Sequence, residues 1–380
     1  MSRIVLISDS PNINTGYGVA SHNIGRELRK IGHDIAFIGF TAAGAPAYHK
    51  LDSEEVPVYE GNTTVSMEKA FLDWKPGIAI HIRDAFAHSP RWHTHPYSLV
   101  NIPNRPKIVL WTPIQSDSLP NEFVQACINE CDFCVTFTKW GSDVLLFQGV
   151  PSNRMSSIWL GFDPEIFKPI EAKKEEYGFS EKGPLIGSIG ISDQYRKGWP
   201  ILLQALSLAK DKFPDLDLYL GTSPEGHYSL THHAEKLGVK GSIIYPQRYD
   251  KTWGLSSEEM AGLYNCLDAY VSTSIAEGFN LPLLEAFACG VPVICTDLPN
   301  HKEILGETAF YIPSRKEYPT AWSFEWLADP SSAADLIVKV LSSSADARKE
   351  IRNKQLERSR ELTWKKSGER WDALLRRLKL

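Results

Sequence analysis

One stretch in the C-terminal half decides the fold: EGFNLPLLEAFACG, which runs from Glu277 to Gly290. It lies between two short apolar runs, 269–272 and 293–295, that are predicted as buried strands. Pro282 suits the first turn of a helix, and Gly290 suits its C-terminal cap. The stretch therefore predicts a strand, a loop, a helix and a second strand, which is the repeating unit of a parallel sheet.

Two carboxylates give this unit its chemistry. Glu277 precedes the helix and Glu285 lies about one turn inside it, so the pair can frame one ligand, with one carboxylate at its reacting end and the other at a ribose. Amides at a helix N-terminus bind anions, because their N–H groups are unpaired and the helix dipole is positive there. The amides expected to do so are those of Gly278, Phe279, Asn280 and Leu281.

The alternation of strands and helices extends along the chain in both directions. The predicted strands are 4–7, 35–40, 78–82, 108–111, 133–137, 185–189, 216–220, 243–245, 269–272, 293–295 and 310–312. Between 161 and 183, proline, glycine and charged residues replace the apolar pattern, which indicates a domain boundary. We predict an α/β protein with two doubly wound, parallel-sheet (Rossmann-like) domains, 1–165 and 166–363, and a terminal helix over 364–380 that packs back on the first domain.

Composition excludes several classes of protein. The 380 residues include 43% hydrophobic ones and carry a net charge of −5, so the chain is neither disordered nor fibrous and lacks the basic excess of a nucleic-acid binder. No apolar run approaches the roughly 20 residues needed to span a membrane, and the first residues do not resemble a signal peptide. Six cysteines are typical of a reduced compartment. We expect a cytoplasmic protein, and peripheral association with a membrane stays open.

Two further motifs can bind phosphate. Gly16 and Gly18 lie between the first predicted strand and the first helix, where an anion-binding loop is favoured and a structural turn is the alternative. A nicotinamide site is disfavoured, because no acidic residue for a ribose follows the second strand. Arg196 and Lys197 follow the strand 185–189, where two cations suit a diphosphate, although such a pair is also common on a solvated surface.

Together these features resemble the retaining glycosyltransferases of the GT-B fold, in sequence family four, the glycosyl transferases group 1. The matching positions are Gly16 and Gly18, Gly161-Phe162-Asp163, Lys197-Gly198, the pair Glu277 and Glu285, and the helix at Trp364. They follow the family's order over nearly the whole chain. The resemblance implies a GT-B architecture, in which two Rossmann-like domains face a cleft.

The resemblance also implies a reaction. A hexose would pass from a nucleotide-diphosphate donor, bound mainly by the C-terminal domain, to a hydroxyl acceptor, with retention of configuration. Retention can arise from a covalent double displacement or from same-face attack, and the family resemblance favours same-face attack. Lys197 would neutralise the diphosphate, helped by the amides of Gly16 and Gly18. Glu277 would lie at the sugar and Glu285 at the ribose. No cofactor and no essential metal is expected, because basic side chains and helix dipoles supply the positive charge.

Two positions depart from the family pattern. Ile191 occupies the place of a common arginine, and Arg196 is the candidate to replace it. Relatives carry a functional histidine near the strand 108–111, and this chain has none there. His81, at the end of the preceding strand, is the nearest replacement, although a histidine at a strand end is often structural. The predicted catalytic residues are Glu277, Lys197 and His81.

The nucleotide base and the acceptor are assigned to loops. We predict that Arg248 and Tyr249 contact the base, and that Tyr17, Arg83 and Gln115 lie on the acceptor side. The acceptor stays open between a sugar, a lipid, a protein and a modified nucleic acid. The sequence predicts no oligomeric state.

Two alternative interpretations concern binding without catalysis. A nucleotide- or sugar-binding protein without transfer activity would use the same two domains. Cys127, Cys131 and Cys134 have the spacing of an iron–sulfur site, but Cys127 falls in a predicted helix and Cys134 in a predicted strand. Because such a cluster needs its thiolates on one loop, structural cysteines are favoured and no metal site is predicted.

Overall fold

The computed structural model divides the chain into two compact units. The residues that it describes are 2–40, 47–85, 99–190, 195–226, 229–246, 255–317 and 325–379. Unit 1 contains Met1–Gly161 and Leu362–Leu380, and unit 2 contains Phe162–Asp250 and Gly254–Glu361. The chain leaves unit 1 at Gly161, close to the domain boundary predicted at 165–166.

Unit 1 is built on a sheet of eight strands. The strands β1 to β8 span Arg3–Asp9, Asp34–Phe40, Tyr48–Leu51, Glu54–Glu60, Ile78–Ile82, Lys107–Thr112, Phe133–Thr136 and Met155–Ser157. Their order is β3-β4-β2-β1-β5-β6-β7-β8, and every neighbouring pair is parallel except β3 and β4. Ile4 to Ile7 of β1 are all buried, as expected for a parallel strand that is covered on both faces.

Unit 2 contains a parallel sheet of six strands and a separate hairpin. The strands β9 to β14 span Leu185–Ile189, Asp217–Gly221, Ile243–Ile244, Ala269–Ser272, Val293–Thr296 and Phe310–Ile312. Their order is β11-β10-β9-β12-β13-β14. The hairpin consists of the antiparallel strands β15 (Ser314–Glu317) and β16 (Glu325–Ala328).

Twelve helices lie among the described residues. The helices α1 to α12 span Gly16–Ile31, Thr64–Trp74, Asn121–Asn129, Lys139–Phe147, Trp199–Ala209, Leu230–Lys236, Ser257–Asn265, Leu281–Ala288, Pro299–Leu305, Pro330–Leu341, Ala345–Ser359 and Trp364–Arg377. The last of them, α12, belongs to unit 1, where the ring of Trp371 is fully buried with its centroid 5.2 Å from that of Trp111. Its apolar stripe thus completes the core of unit 1.

Each sheet has one point where the strand order reverses. In unit 1 the chain builds outward from β1 through β2 to β4 and then returns to place β5 on the other side of β1. In unit 2 the same reversal lies between β9 and β12. Ligands of open α/β sheets bind outside the carboxyl ends of the strands at such a switch point, so these two places are where a site is expected.

The predicted strands are confirmed, with bounds that shift by a residue or two at several ends. Two hairpins and α2 were not predicted. The first hairpin, β3 and β4, lies at the sheet edge, where Leu51 and Val56 are its buried apolar residues, so its pattern is weak. The second hairpin, β15 and β16, lies outside the parallel sheet, so the strand–helix alternation does not reveal it.

Candidate active site

A tight turn brings the two cations of unit 2 to the switch point. Gly198 has a φ of 63°, and a Cβ added to it would lie 2.1 Å from the carbonyl oxygen of Thr273. Only glycine fits this close approach in the left-handed region. Thr273 Oγ1 donates to the Gly198 carbonyl at 3.0 Å, and the Ile275 amide donates to the Arg196 carbonyl at 2.7 Å. The loop after β9 is therefore fixed against the loop after β12.

Glu277 is the centre of the cluster that results. Its Oε1 accepts from Lys197 Nζ at 2.6 Å, and its Oε2 accepts from Arg196 Nη1 at 2.6 Å. Burial by itself raises the pKa of the Glu277 carboxyl, but the charges of Arg196 and Lys197 outweigh burial and lower the pKa to about 2. Glu277 is thus ionised at neutral pH, although only 5% of the residue is exposed.

Lys197 and Arg196 differ in their access to solvent. Lys197 is buried, whereas 26% of the Arg196 side chain is exposed. Burial lowers the pKa of the Lys197 ammonium, and the Arg196 charge adds to this effect, against the opposing charge of Glu277. Two cations share one carboxylate here, so the cluster carries a surplus positive charge that an anionic ligand can neutralise.

The N-terminus of α8 follows the loop that contains Glu277. Asn280 precedes the helix with a φ of 79°, and its side chain does not cap α8. The first amides of a helix have no partner within the helix, so without a cap they can bind a ligand. The four residues predicted to supply such amides are all buried in this loop: Gly278, Phe279, Asn280 and Leu281.

The second carboxylate of the motif lies in a different environment. Glu285 is on α8, and its Oε2 accepts from the hydroxyl of Tyr264 at 2.9 Å. Burial raises the pKa of Glu285 to about 7, against the hydrogen bond from Tyr264, which lowers it. The two glutamates of one motif therefore have pKa values shifted in opposite directions, because Arg196 and Lys197 lie beside Glu277 and burial dominates at Glu285.

At the switch point of unit 1, Asp9 at the end of β1 binds residues from two segments. Its Oδ1 accepts from Arg83 Nη1 at 2.6 Å, and its Oδ2 accepts from Thr15 Oγ1 at 2.7 Å. The Arg83 guanidinium also lies 5.1 Å from the centre of the Phe40 ring. Arg83 is thus held in one orientation at the carboxyl end of β5.

Asp84 joins the other two residues predicted on the acceptor side. The Tyr17 hydroxyl donates to Asp84 Oδ2, and Gln115 Nε2 donates to Asp84 Oδ1 at 3.2 Å. Tyr17 is in turn 5.9 Å from the Arg83 guanidinium, measured to the ring centre. The structure therefore brings Tyr17, Arg83 and Gln115 together around Asp84 and Asp9.

The glycine loop and His81 lie at the same end of the unit 1 sheet as this cluster. The Gly18 amide, predicted to bind phosphate, donates instead to Thr15 Oγ1 at 3.0 Å as part of the N-cap of α1. Gly16 is the first residue of α1. His81 is buried within β5, with its ring 5.9 Å from that of Phe40. Its proposed part in the reaction stays a prediction.

Several predicted positions lie outside the described residues: Ile191, Arg248 and Tyr249. Sequence reasoning also missed functional neighbours that the structure reveals. Asp84 could have been found, because it follows Arg83 at the end of a predicted strand. Two others could not, since they come from other helices and belong to no motif: Tyr264 on α7, beside Glu285, and His301 on α9, beside Asn280.

Cys127 lies in α3 and Cys134 in β7, as predicted, and Cys131 lies between these elements. All three are buried free thiols. Among the residues that the structure describes, no helix is both long and apolar enough to cross a membrane.

The fold and these two clusters can be compared with known proteins. Residues 169–358, half of the chain, match the family model described as glycosyl transferases group 1. The chain belongs to the glycosyl transferases group 1. The resemblance seen in the sequence is thereby confirmed.

Curated proteins similar to this group 1 chain match it over part of their length. An MMP alpha-(1->4)-mannosyltransferase of Mycolicibacterium hassiacum is 28% identical over 43% of this chain and 36% of its own. A D-inositol 3-phosphate glycosyltransferase of Corynebacterium urealyticum is 26% identical over 45% of this chain and 41% of its own. The matches thus span about two fifths of these relatives' lengths.

Solved structures share the fold over the whole group 1 chain. A sucrose-phosphate synthase from Thermosynechococcus elongatus superposes with a TM-score of 0.78 at 14% identity, covering 100% of this chain and 99% of that one. The Anabaena protein HepE in complex with UDP-glucose gives a TM-score of 0.73 at 14% identity, covering 99% of both chains. The predicted GT-B fold with Rossmann-like parallel sheets is confirmed.

Proposed function

We propose that this chain is a retaining, metal-independent glycosyltransferase that moves a hexose from a nucleotide-diphosphate donor to a hydroxyl acceptor. The observation that carries the proposal is the cluster of Arg196, Lys197 and Glu277 at the switch point of unit 2, beside the uncapped N-terminus of α8. Family membership supports the reaction class, and the UDP-glucose bound to HepE supports the kind of donor.

The cations would act on the leaving group. Breaking the bond between sugar and diphosphate places negative charge on the diphosphate, and fixed positive groups at that point lower the barrier. Lys197 Nζ gives one hydrogen bond to Glu277, and an ammonium group has three hydrogens, so it can also bind a phosphate oxygen. Arg196 and the α8 amides would bind the remaining oxygens. The proposal includes metal independence because these groups supply the charge that a metal would otherwise supply.

Glu277 and Glu285 would hold the two ends of the donor. Glu277 would accept hydrogen bonds from the hydroxyls of the hexose, and Glu285 from those of the ribose. In this proposal, retention arises from attack on the face from which the diphosphate leaves. Glu277 is ion-paired on both oxygens and fixed in place, which suits a role in orientation better than one as a nucleophile.

The acceptor would bind at the switch point of unit 1. Asp84, Tyr17, Gln115 and Arg83 offer both donors and acceptors to a hydroxylated molecule. The acceptor is a sugar, a lipid, a protein or a modified nucleic acid, and release of the nucleoside diphosphate in the presence of each would distinguish the four. A cytoplasmic location is part of the proposal, because the cysteines are free thiols.

A donor screen tests the proposal. The protein is incubated with UDP-, GDP-, ADP- and CDP-hexoses, with and without EDTA, and release of the nucleoside diphosphate is measured. We expect release from one donor, undiminished by EDTA, and a product whose anomeric configuration by NMR equals that of the donor. Failure to release any diphosphate contradicts transfer, loss of activity in EDTA contradicts metal independence, and an inverted product contradicts retention. Tight binding of a donor without release would identify the non-catalytic binding protein instead.

A further inference from the structure

A buried chain of hydrogen bonds leads from α9 to the carboxylate of Glu277. Asn280 Nδ2 donates to Ser272 Oγ at 3.1 Å, and Ser272 Oγ donates to Ser274 Oγ at 3.3 Å. Ser274 Oγ then donates to Glu277 Oε1 at 2.9 Å. At the other end, Asn280 Nδ2 lies 3.3 Å from His301 Nε2. Every residue in this series of hydrogen bonds is buried, and His301 is completely buried.

The neutral ring of His301 fixes the direction of the chain. Its Nδ1 lies 3.0 Å from the carbonyl oxygen of Thr296, which can only accept, so Nδ1 carries the ring hydrogen. In the neutral ring Nε2 is then an acceptor, and it takes one of the two hydrogens on Asn280 Nδ2. The other hydrogen goes to Ser272. Each serine hydroxyl is thereby free to direct its single hydrogen toward Glu277.

The same contacts hold the backbone that opens α8. Asn280 has φ 79° and ψ 72°, a left-handed conformation that is uncommon for residues with a Cβ, although asparagine tolerates it better than most. Its side chain is tied to β12 through Ser272 and to α9 through His301. The neighbouring Asn300 of α9 donates to the Glu277 carbonyl. Both ends of the loop 277–280 are therefore attached to α9.

We propose that His301 is a positioning residue for the transfer reaction: it holds Asn280 and, through Ser272 and Ser274, fixes the Glu277 carboxylate beside Lys197. This inference rests on the proposed function, which assigns Glu277 to the donor sugar. His301 itself touches neither the Glu277 carboxylate nor the α8 amides in the hydrogen bonds described, so its effect passes through Asn280.

Protonation of His301 would reverse the chain. A hydrogen on Nε2 would face the hydrogens of Asn280 Nδ2, and the amide would have to turn its oxygen toward His301. Ser272 Oγ would then give its single hydrogen to Asn280 and could no longer donate it to Ser274. Burial lowers the pKa of His301 below its ordinary value; among the facing charges Glu277 and Asp297 oppose this and Lys197 adds to it. The neutral form therefore prevails at neutral pH.

A double-mutant cycle tests the inference, with UDP-glucose or whichever donor of the screen supports turnover. We expect His301→Phe to lower kcat about tenfold while the KM for the donor changes less than about twofold. Glycine adopts a φ of 79° without strain, so Asn280→Gly cuts the chain and also removes the need to enforce this conformation. In the Asn280→Gly background, His301→Phe should lower kcat less than about twofold. If the kcat of the double variant is instead lowered by the product of the two single fold-changes, the inference is overturned.

Matched variants separate positioning from folding. His232 is exposed on α6 of the same unit, and His232→Phe should leave kcat and the melting temperature unchanged. If His301→Phe does not fold, Ser272→Ala cuts the chain at its middle link with a smaller change of volume. A kcat lowered about threefold or more supports the inference, and an unchanged kcat contradicts it.

Two readouts keep the inference distinct from the proposed function. If Lys197→Ala loses turnover but the kcat fold-changes of His301→Phe and Asn280→Gly multiply, the inference about His301 is wrong and the proposed function stands. If Lys197→Ala keeps full turnover, the proposed function itself is wrong. Without any turnover, ¹⁵N NMR of histidine side chains still decides the geometry. We expect the His301 signal, assigned by its loss in His301→Phe, to report a neutral Nδ1–H ring at pH 7. A protonated ring or the Nε2–H form would contradict the chain.

Discussion

The switch points of the two sheets carry opposite charge. In unit 2 the loops after β9 and β12 bring two cations, Arg196 and Lys197, to one carboxylate, Glu277. In unit 1 the described ends of β1 and β5 carry two carboxylates, Asp9 and Asp84, and one guanidinium, Arg83, which is paired with Asp9, while Asp84 accepts from the Tyr17 hydroxyl. The topology is the same, and the side chains at the strand ends make the difference.

In the proposed function, this difference would divide the work between the units. A surplus of positive charge beside an uncapped helix N-terminus suits a diphosphate, and fixed carboxylates with neutral donors suit the hydroxyl groups of an acceptor. The two switch points would then bind different ligands, each selected by the charge at that place. The predictions below alter one switch point at a time.

The largest effect is expected from Lys197→Ala. Removal of one preorganised donor to a developing charge typically lowers kcat by about 10²–10³. The measurement is steady-state release of the nucleoside diphosphate with the donor that the screen identifies. Lys354→Ala is the matched control, since Lys354 is an exposed lysine of unit 2 paired with Glu350. Comparable turnover in the two variants would remove Lys197 from the reaction.

A smaller effect, on the acceptor, is expected from Asp84→Asn. The substitution keeps the shape but removes the charge that accepts hydrogen bonds, so the KM for the acceptor should rise about tenfold. Asp143→Asn is the control, because Asp143 is an exposed aspartate of unit 1 paired with Lys139. An unchanged acceptor KM with a raised donor KM would move the acceptor away from this switch point.

A moderate pH effect is expected at Glu285. With its pKa raised to about 7, the carboxyl gains its charge as the pH rises from 6 to 8, and a charged carboxylate is the better acceptor for a ribose hydroxyl. Affinity for the nucleoside diphosphate, measured by calorimetry, should rise roughly threefold to tenfold over this range. Glu285→Gln should show a smaller rise over this range, and a rise equal to that of the unaltered protein would contradict the role.

The smallest effect concerns stability at the same residue. Because the pKa of Glu285 is raised from 4.5 to about 7 by burial, the folded chain holds a proton that the unfolded chain loses between these values. Stability should therefore fall as the pH rises through this window, and Glu285→Gln should lose less. Urea midpoints measured from pH 4.5 to 8 test the slope. A steeper fall in Glu285→Gln would show that the sign is wrong.

The sequence predicted the fold and half of each cluster for a physical reason. Buried parallel strands are continuous apolar runs, and Glu277, Lys197 and Arg83 lie in the loops that follow them, so periodicity finds the strands and motif position finds these residues. The partners Tyr264 and His301 meet their targets only through helix packing, which no local pattern encodes. The N-cap bond from the Gly18 amide to Thr15 was not predicted, because it depends on the φ and ψ of Thr15 and not on spacing.

The central claim is that Lys197 at the positive switch point binds the diphosphate of the donor. Calorimetric titration of the nucleoside diphosphate from the active donor tests it most directly, with the unaltered protein, Lys197→Ala and Lys354→Ala compared at one salt concentration. We expect a loss of affinity of about tenfold or more in Lys197→Ala and an unchanged value in Lys354→Ala. Equal affinity in all three proteins would contradict it.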